Sequence, residues 1–173
     1  LSELNPNINF IGIDSFFNNY NLDIEYPVID VKYLNSDILT FTQPLTEDKF
    51  CKSNEEVLII EKFIKCNSDK KIIIKLHPRD IMSNYRYLLK YNVIFLPEDY
   101  RNIPYQVMHA SIRPKNIVSF FSSILFSVPS LTNNFQRVSL INSIGNTNIK
   151  KVVHQMGKYF GDLKILDTES SKL

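Results

Sequence analysis

The sequence contains no tryptophan, and it has only four glycines and two cysteines among its 173 residues. It also lacks a CxxC pair, an HExxH motif and any cluster of histidines, so no metal site is expected. Cys51 and Cys66 occur in a chain without secretory features, which favours two structural thiols over a disulfide. No apolar run approaches the roughly 20 residues that a membrane helix needs, and no signal-peptide pattern opens the chain. A cytoplasmic protein is therefore expected.

The charges of the chain are nearly balanced. The formal net charge is +2, and acidic and basic residues are spread along the sequence rather than gathered in a basic stripe, so nucleic acid is not expected as a partner. A hydrophobic content of 44% in 173 residues suffices for one core. We expect a single domain over 1–173, with an irregular lead-in at 1–36 and a core at 37–167. Because the chain starts at Leu1 rather than at Met, we expect it to be a piece of a longer protein.

The most informative stretch is residues 71–80, KIIIKLHPRD. The isoleucine run at 72–74 is typical of a strand buried on both faces, and the His-Pro pair that starts at His77 stops it. Parallel sheets bind their ligands just beyond the carboxyl ends of such strands. An imidazole there, flanked by Lys75 and Arg79, is well placed to meet an anionic group.

A second strand-like run, NIVSFF at 116–121, leads into Ser122 and Ser123. A short apolar helical stretch follows this serine pair. Hydroxyls and free backbone N–H groups at the start of a helix form a natural phosphate site. We therefore expect the His-Pro turn and the serine pair to converge on one phosphate group.

Strands and helices alternate along the chain, which predicts an α/β fold with a Rossmann-like parallel sheet flanked by helices. Ser53 and Glu56 have the spacing of a capping box at the start of one helix. Residues 130–146 are polar and rich in asparagine, which indicates a loop. The expected strands are 37–42, 72–74, 93–96 and 116–121, and the expected helices are 53–66, 81–91, 104–111, a short one before Pro129, and 147–160.

Four titratable residues outside these motifs have ordinary structural explanations. Glu47 and Asp48 follow the first expected strand, and acids on such loops are normally solvated. Their place beyond a strand end nevertheless makes either one a candidate general base. His109 and His154 fall in expected helices among apolar neighbours, so both are predicted to be structural.

Four short motifs together suggest a family: FTQPLTED at 41–48, KLHPRD at 75–80, IPYQVM at 103–108 and SFFSS at 119–123. Their order and spacing resemble those of bacterial sialyltransferases of glycosyltransferase family 52, the lipooligosaccharide and capsule type. The set is also similar to the related bacterial polysialyltransferases, which share the His-Pro and Ser-Ser motifs. The resemblance covers about residues 37–129.

This resemblance implies the carboxyl-terminal, nucleotide-sugar-binding half of a GT-B fold. It implies an inverting transfer of sialic acid from CMP-sialic acid without a metal or other cofactor. By match to the His-Pro motif, His77 would contact the CMP phosphate and act as general acid. By match to the Ser-Ser motif, Ser122 and Ser123 would hydrogen-bond that phosphate. The base that takes the proton of the acceptor hydroxyl would be Asp48, in preference to Glu47.

The resemblance also implies substrate contacts from Gln43, Pro78 and Arg79. Similar enzymes commonly hold the cytidine ribose with an acid in the helix after the Ile-Pro pair. Here Gln106 occupies the nearest matching position, and an amide binds a ribose diol more weakly than a carboxylate does. The affinity for the donor and its identity are therefore open.

The partners implied by the resemblance are a glycan acceptor and an amino-terminal acceptor domain that is missing here. Peripheral contact with the inner face of the bacterial membrane is implied too, although no basic amphipathic helix indicates it. The acceptor sugar, the linkage and a homodimer are left open. Two other functions also stay open: a transferase for another nucleotide sugar, because a phosphate site does not identify the base, and a non-catalytic α/β interaction domain.

Overall fold

The computed structural model of the protein describes residues 30–108, 112–127, 135–160, 163–167 and 172–173. A six-stranded sheet runs through these residues, and every neighbouring pair of strands is parallel. The predicted α/β fold with a parallel sheet is therefore confirmed. The strands are β1 (Asn35–Phe41), β2 (Ile72–Lys75), β3 (Val93–Phe95), β4 (Arg113–Ser119), β5 (Gln136–Ser139) and β6 (Leu163–Ile165).

Helices follow or precede each strand, as parallel connections require. Most of them are single turns, and two are longer. The α-helices are α1 (Val31–Leu34), α2 (Glu55–Cys66), α3 (Met82–Tyr85), α4 (Tyr105–Met108), α5 (Ile124–Ser127) and α6 (Thr147–Phe160), and 3₁₀ turns span Arg86–Lys90, Glu98–Tyr100 and Ile141–Ser143. Within this described part, no helix has the length and apolar character that a membrane span requires.

The strand order is β3-β2-β1-β4-β5-β6, so the chain reverses its direction of winding between β1 and β4. Thr40 pairs with Ile74 of β2 on one side and with Val118 of β4 on the other. The carboxyl ends of these three strands therefore lie side by side. In open α/β sheets, a reversal of this kind opens the crevice in which ligands bind.

The centre of the sheet is buried on both faces, which explains its continuous apolar runs. The isoleucines at 72–74 of β2 and the pair Ile117 and Val118 of β4 are at most 1% exposed. Ile60 and Phe63 of helix α2 are fully buried in the same hydrophobic core. The predicted strand at 72–74 and the predicted helix at 147–160 are confirmed.

Three local predictions were wrong. Helix α2 has no capping box: Asn54 precedes it in the left-handed region with φ of 59°, and no side chain caps it. The carboxylate of Glu56 instead accepts hydrogen bonds from the Thr46 hydroxyl at 2.5 Å and the Cys51 thiol at 3.1 Å. Residues 81–91 form α3 and a 3₁₀ turn rather than one helix. The polar segment 130–146 contains β5, in which Arg137 and Ser139 are buried.

The remaining predictions concern the two cysteines, two of the histidines and the lead-in. Cys51 and Cys66 are both free thiols. His154 is exposed on α6, where its Nε2 lies 2.9 Å from Oδ1 of Asn142. His109 and nearly all of the expected lead-in lie outside the described residues.

Candidate functional site

A cavity of about 270 Å³ lies at the edge of the sheet where β1, β2 and β4 end. Its wall combines the residues that follow these strands with the loop and helix that precede β4. The lining residues are Phe41, Thr42, Lys75, Leu76, His77, Pro78, Arg101, Asn102, Ile103, Pro104, Tyr105, Gln106, Ser122, Ser123 and Ile124.

The cavity brings together five of the residues that the sequence motifs single out. His77 and Pro78 reach it from the end of β2, whereas Ser122 and Ser123 reach it from beyond β4. Gln106 of α4 contributes another wall. The imidazole-bearing turn and the paired hydroxyls therefore share one crevice, although they are distant in sequence.

The serine pair precedes α5, which has only a single turn. The Oγ of Ser122 accepts a hydrogen bond from the Ile124 N–H at 3.5 Å, a long and weak cap. The expected phosphate site thus has two hydroxyls at the cavity wall, but the helix behind them is too short to supply much of a dipole.

The backbone of the His77 turn is held by two buried side chains. The N–H of His77 donates to the Thr42 hydroxyl at 2.8 Å and to Oδ2 of Asp80 at 3.3 Å. The Thr42 hydroxyl in turn donates to Asp80 Oδ2, and the Asp80 N–H returns a bond of 2.9 Å to the His77 carbonyl. This closed set of hydrogen bonds fixes the direction in which the imidazole leaves the backbone.

The imidazole of His77 is half-buried, and its Nδ1 accepts a hydrogen bond from the Arg79 N–H at 3.2 Å. The proton of the neutral ring is therefore assigned to Nε2. Burial lowers the pKa of His77, although the nearby Asp80 carboxylate opposes this shift. At neutral pH the ring is therefore neutral, with Nε2–H as its one donor.

Asp80 was not predicted as a site residue, but its carboxylate accepts hydrogen bonds from Thr42 and from the backbone of the His77 turn. It is 5% exposed. Burial raises the pKa of its carboxyl, and the hydrogen bonds from Thr42 and His77 oppose that rise. Its place three residues after His77 in KLHPRD is the one signal by which the sequence marks it.

Lys75 is the last residue of β2 and is 6% exposed. Its Nζ donates to the Arg101 carbonyl at 2.6 Å. Burial lowers the pKa of its ammonium to about 8. The guanidinium of Arg101 donates to the Asp80 carbonyl at 3.0 Å and so links the loop before α4 to the His77 turn.

The two candidate bases lie outside the cavity wall. Asp48 forms a bidentate ion pair with Arg79, with Nη1–Oδ1 and Nη2–Oδ2 distances of 2.9 and 2.7 Å. This pairing lowers the pKa of Asp48. Arg79 is thus engaged with a carboxylate of the chain itself. Glu47 is exposed on the same turn.

Gln43 has a structural position between the ends of two strands. Its Oε1 accepts hydrogen bonds from the Ser119 hydroxyl at 3.1 Å and from the Phe121 N–H at 2.8 Å. It does not line the cavity. Gln43 thereby fastens the end of β1 to the segment that carries the two serines.

Comparison with known proteins identifies a family and a more distant relative. The model of the family described as alpha-2,8-polysialyltransferase (POLYST) matches residues 13–140. An uncharacterized protein of Haemophilus influenzae is 27% identical over 110 residues, which is 64% of this chain and 34% of that protein. The chain thus spans about a third of that relative's length. The residues matched by the family model include the His77 turn, the serine pair and Gln106.

Proposed function

Because the chain belongs to the alpha-2,8-polysialyltransferase family, whose members are sialyltransferase-type glycosyltransferases, we propose that it binds CMP-sialic acid in the cavity and transfers the sugar to a glycan hydroxyl. One observation supports this more than any other. His77, Ser122 and Ser123 line a single crevice where the strand order reverses. That arrangement offers hydrogen-bond donors from two sides to one phosphate.

We also propose that the domain is the carboxyl-terminal, donor-binding half of a GT-B enzyme. The strand order β3-β2-β1-β4-β5-β6 with its site at the carboxyl edge supports a nucleotide-binding role. An amino-terminal domain would then bind the acceptor and close over the cavity. The acceptor sugar and linkage would be set mainly by that partner domain.

The reaction is a direct displacement at the anomeric carbon of sialic acid. The acceptor hydroxyl loses its proton to a base and forms the new C–O bond, while the bond from the sugar to the CMP phosphate breaks. Negative charge builds on the departing phosphate. Nε2–H of His77 and the hydroxyls of Ser122 and Ser123 would stabilise that charge most in the transition state, which is what lowers the barrier.

His77 would act as hydrogen-bond donor and general acid toward the phosphate. Burial keeps the free imidazole neutral, and an anionic phosphate beside it would raise its pKa and favour the proton-donating form. The base would be Asp48 or Glu47. The ion pair with Arg79 makes Asp48 a weak base as it stands, so its use would require the acceptor to loosen that pair.

Gln106 would hydrogen-bond the ribose of the cytidine. It lines the cavity from α4, and a side-chain amide can both donate to and accept from a diol. Pro78, also in the wall, would bound the phosphate side by contact alone. Gln43 and Arg79 would serve indirectly, through the contacts that hold the strand ends and the Asp48 turn.

The test is calorimetric titration with CMP, UMP and GDP, followed by transfer assays in the full-length protein. CMP should bind in preference to the others. His77→Ala should lower transfer by about 10²–10³-fold, the typical cost of one transition-state donor. His154→Ala is the matched control, because that imidazole lies on α6 and does not line the cavity.

Three results would count against the proposal. Preferential binding of UMP or GDP would indicate a transferase for another nucleotide sugar. Absence of nucleotide binding would favour a non-catalytic interaction domain. Near-normal transfer by the folded His77→Ala variant would remove the acid role.

A further inference from the structure

The cavity wall contains a buried cation, Lys75, to which the family resemblance assigns no role. Lys75 ends β2, where it pairs with Phe41 in the sheet, and its carbonyl accepts a hydrogen bond from the Thr42 N–H at 3.1 Å. Its backbone is thus fixed at the edge of the crevice. Lys75 lines the cavity and is almost wholly shielded from solvent.

Lys75 is not neutralised within the chain as described. Its Nζ donates to a neutral acceptor, the Arg101 carbonyl, and no carboxylate of the described residues lies within ion-pair distance. An ammonium has three donors, so donors remain beyond that bond. A buried charge without a counter-ion is costly, and buried charges in proteins are normally paired, so Lys75 lacks a partner that an anionic ligand would supply.

The location of Lys75 also fits an anion that contacts His77. Lys75 and His77 line the same cavity, and the positive charge of Lys75 contributes to lowering the pKa of the imidazole. The carboxylates near His77 are already engaged: Asp80 with Thr42, and Asp48 with Arg79. Arg101, which also lines the cavity, pairs with Glu98 at 3.4 Å, so an anion entering the crevice would meet Lys75 as a cation that no described carboxylate neutralises.

We propose that Lys75 is a donor-binding residue whose ammonium pairs with an anionic oxygen of the nucleotide sugar in this cavity. This inference rests on the proposed function. CMP-sialic acid carries two such groups, the phosphate that joins its halves and the carboxylate of the sugar. Lys75 would offset negative charge that the neutral hydroxyls of Ser122 and Ser123 can only hydrogen-bond.

The experiment is calorimetric titration of this chain with cytidine, CMP and CMP-sialic acid. Lys75→Met keeps the length of the side chain and removes its charge. Loss of one charge-assisted hydrogen bond should weaken binding of the anionic ligand by about tenfold to a hundredfold. Binding of uncharged cytidine should not change. Lys71→Met is the matched control, because Lys71 precedes the opposite end of β2 and lies outside the cavity wall.

The three ligands separate the two anionic groups. Weaker binding of both CMP and CMP-sialic acid would place the phosphate at Lys75, whereas weaker binding of CMP-sialic acid alone would place the sugar carboxylate there. Unchanged binding of both, or an equal loss for cytidine, would overturn the assignment. Lys75→Gln serves as the second variant if the methionine variant unfolds. A wild-type chain that binds none of the three would instead overturn the proposed function itself.

Discussion

Thr42→Val tests the hydrogen-bonded turn on which the candidate site depends. Thr42 is 2% exposed, and its hydroxyl accepts a hydrogen bond from the His77 N–H while it donates one to Asp80. Valine has nearly the same shape but neither donor nor acceptor. The substitution would leave the His77 N–H with its longer contact of 3.3 Å to Asp80, and it would deprive the buried Asp80 carboxylate of one donor.

The expected cost follows from that loss. A buried polar group that loses its partner costs about 1–3 kcal/mol, and here two groups share the loss. We expect the free energy of unfolding to fall by about 2 kcal/mol, which for a domain of this size lowers Tm by roughly 4–8 °C. The freed turn should also weaken CMP binding, because His77 would no longer be held toward the cavity.

The chain offers a close control two residues earlier, within β1. Thr40 is 1% exposed, and its hydroxyl has no hydrogen-bond partner among the described residues. Thr40→Val should therefore leave stability unchanged or raise it by about 1 kcal/mol. Urea unfolding of both variants, with CMP titration, measures the contrast. Equal stability of Thr42→Val and wild type, or an equal loss in both variants, would refute the role assigned to the turn.

Two further predictions concern regions away from the cavity. The Tyr91 hydroxyl donates to Glu61 at 2.5 Å and is the main reason that the pKa of Glu61 falls to about 2. The lowered pKa of Glu61 stabilises the fold at pH values above about 4.3, the pKa of a glutamate in the unfolded chain, and this stabilisation is lost as the pH falls toward 2. Tyr91→Phe should therefore destabilise the protein at pH 6 and have progressively less effect in unfolding curves at lower pH. Tyr87→Phe should change little, because the Tyr87 hydroxyl lies 3.5 Å from the Glu61 carboxylate. Burial raises the pKa of Cys51 to about 12 and Cys66 is exposed, so iodoacetamide at pH 8 should label Cys66 first by mass spectrometry; faster labelling of Cys51 would contradict this environment.

The central strands could be predicted because burial on both faces leaves an unmistakable apolar run. The isoleucines at 72–74 gave β2, and the helical spacing at 147–160 gave α6. Strand β5 could not be predicted in this way. It is built from QRVS, and Arg137 is buried because its guanidinium donates to the Leu125 carbonyl, a contact that no local pattern reveals.

The site was predictable only where its residues stand next to strand ends. Because β2 and β4 flank β1 with parallel register, His77 and the serine pair had to reach the same edge. The support behind them depends on distant partners. Thr42 meets the His77 N–H across 35 positions, and Asp48 meets Arg79 across 31, so neither pairing could be inferred from spacing.

The pairing of β1 with β4 has a consequence for how the protein is made. The Ser119 hydroxyl donates to the Phe41 carbonyl across 78 positions of the chain. Closing so long a loop is slow compared with forming local contacts. During synthesis, Ile38 and Leu39 of β1 emerge from the ribosome well before β4, the strand with which they pair. Until Ser119 has left the exit tunnel, the edge of β1 that will pair with β4 has unpaired backbone groups and exposed apolar side chains, so we expect a chaperone to matter most during this interval.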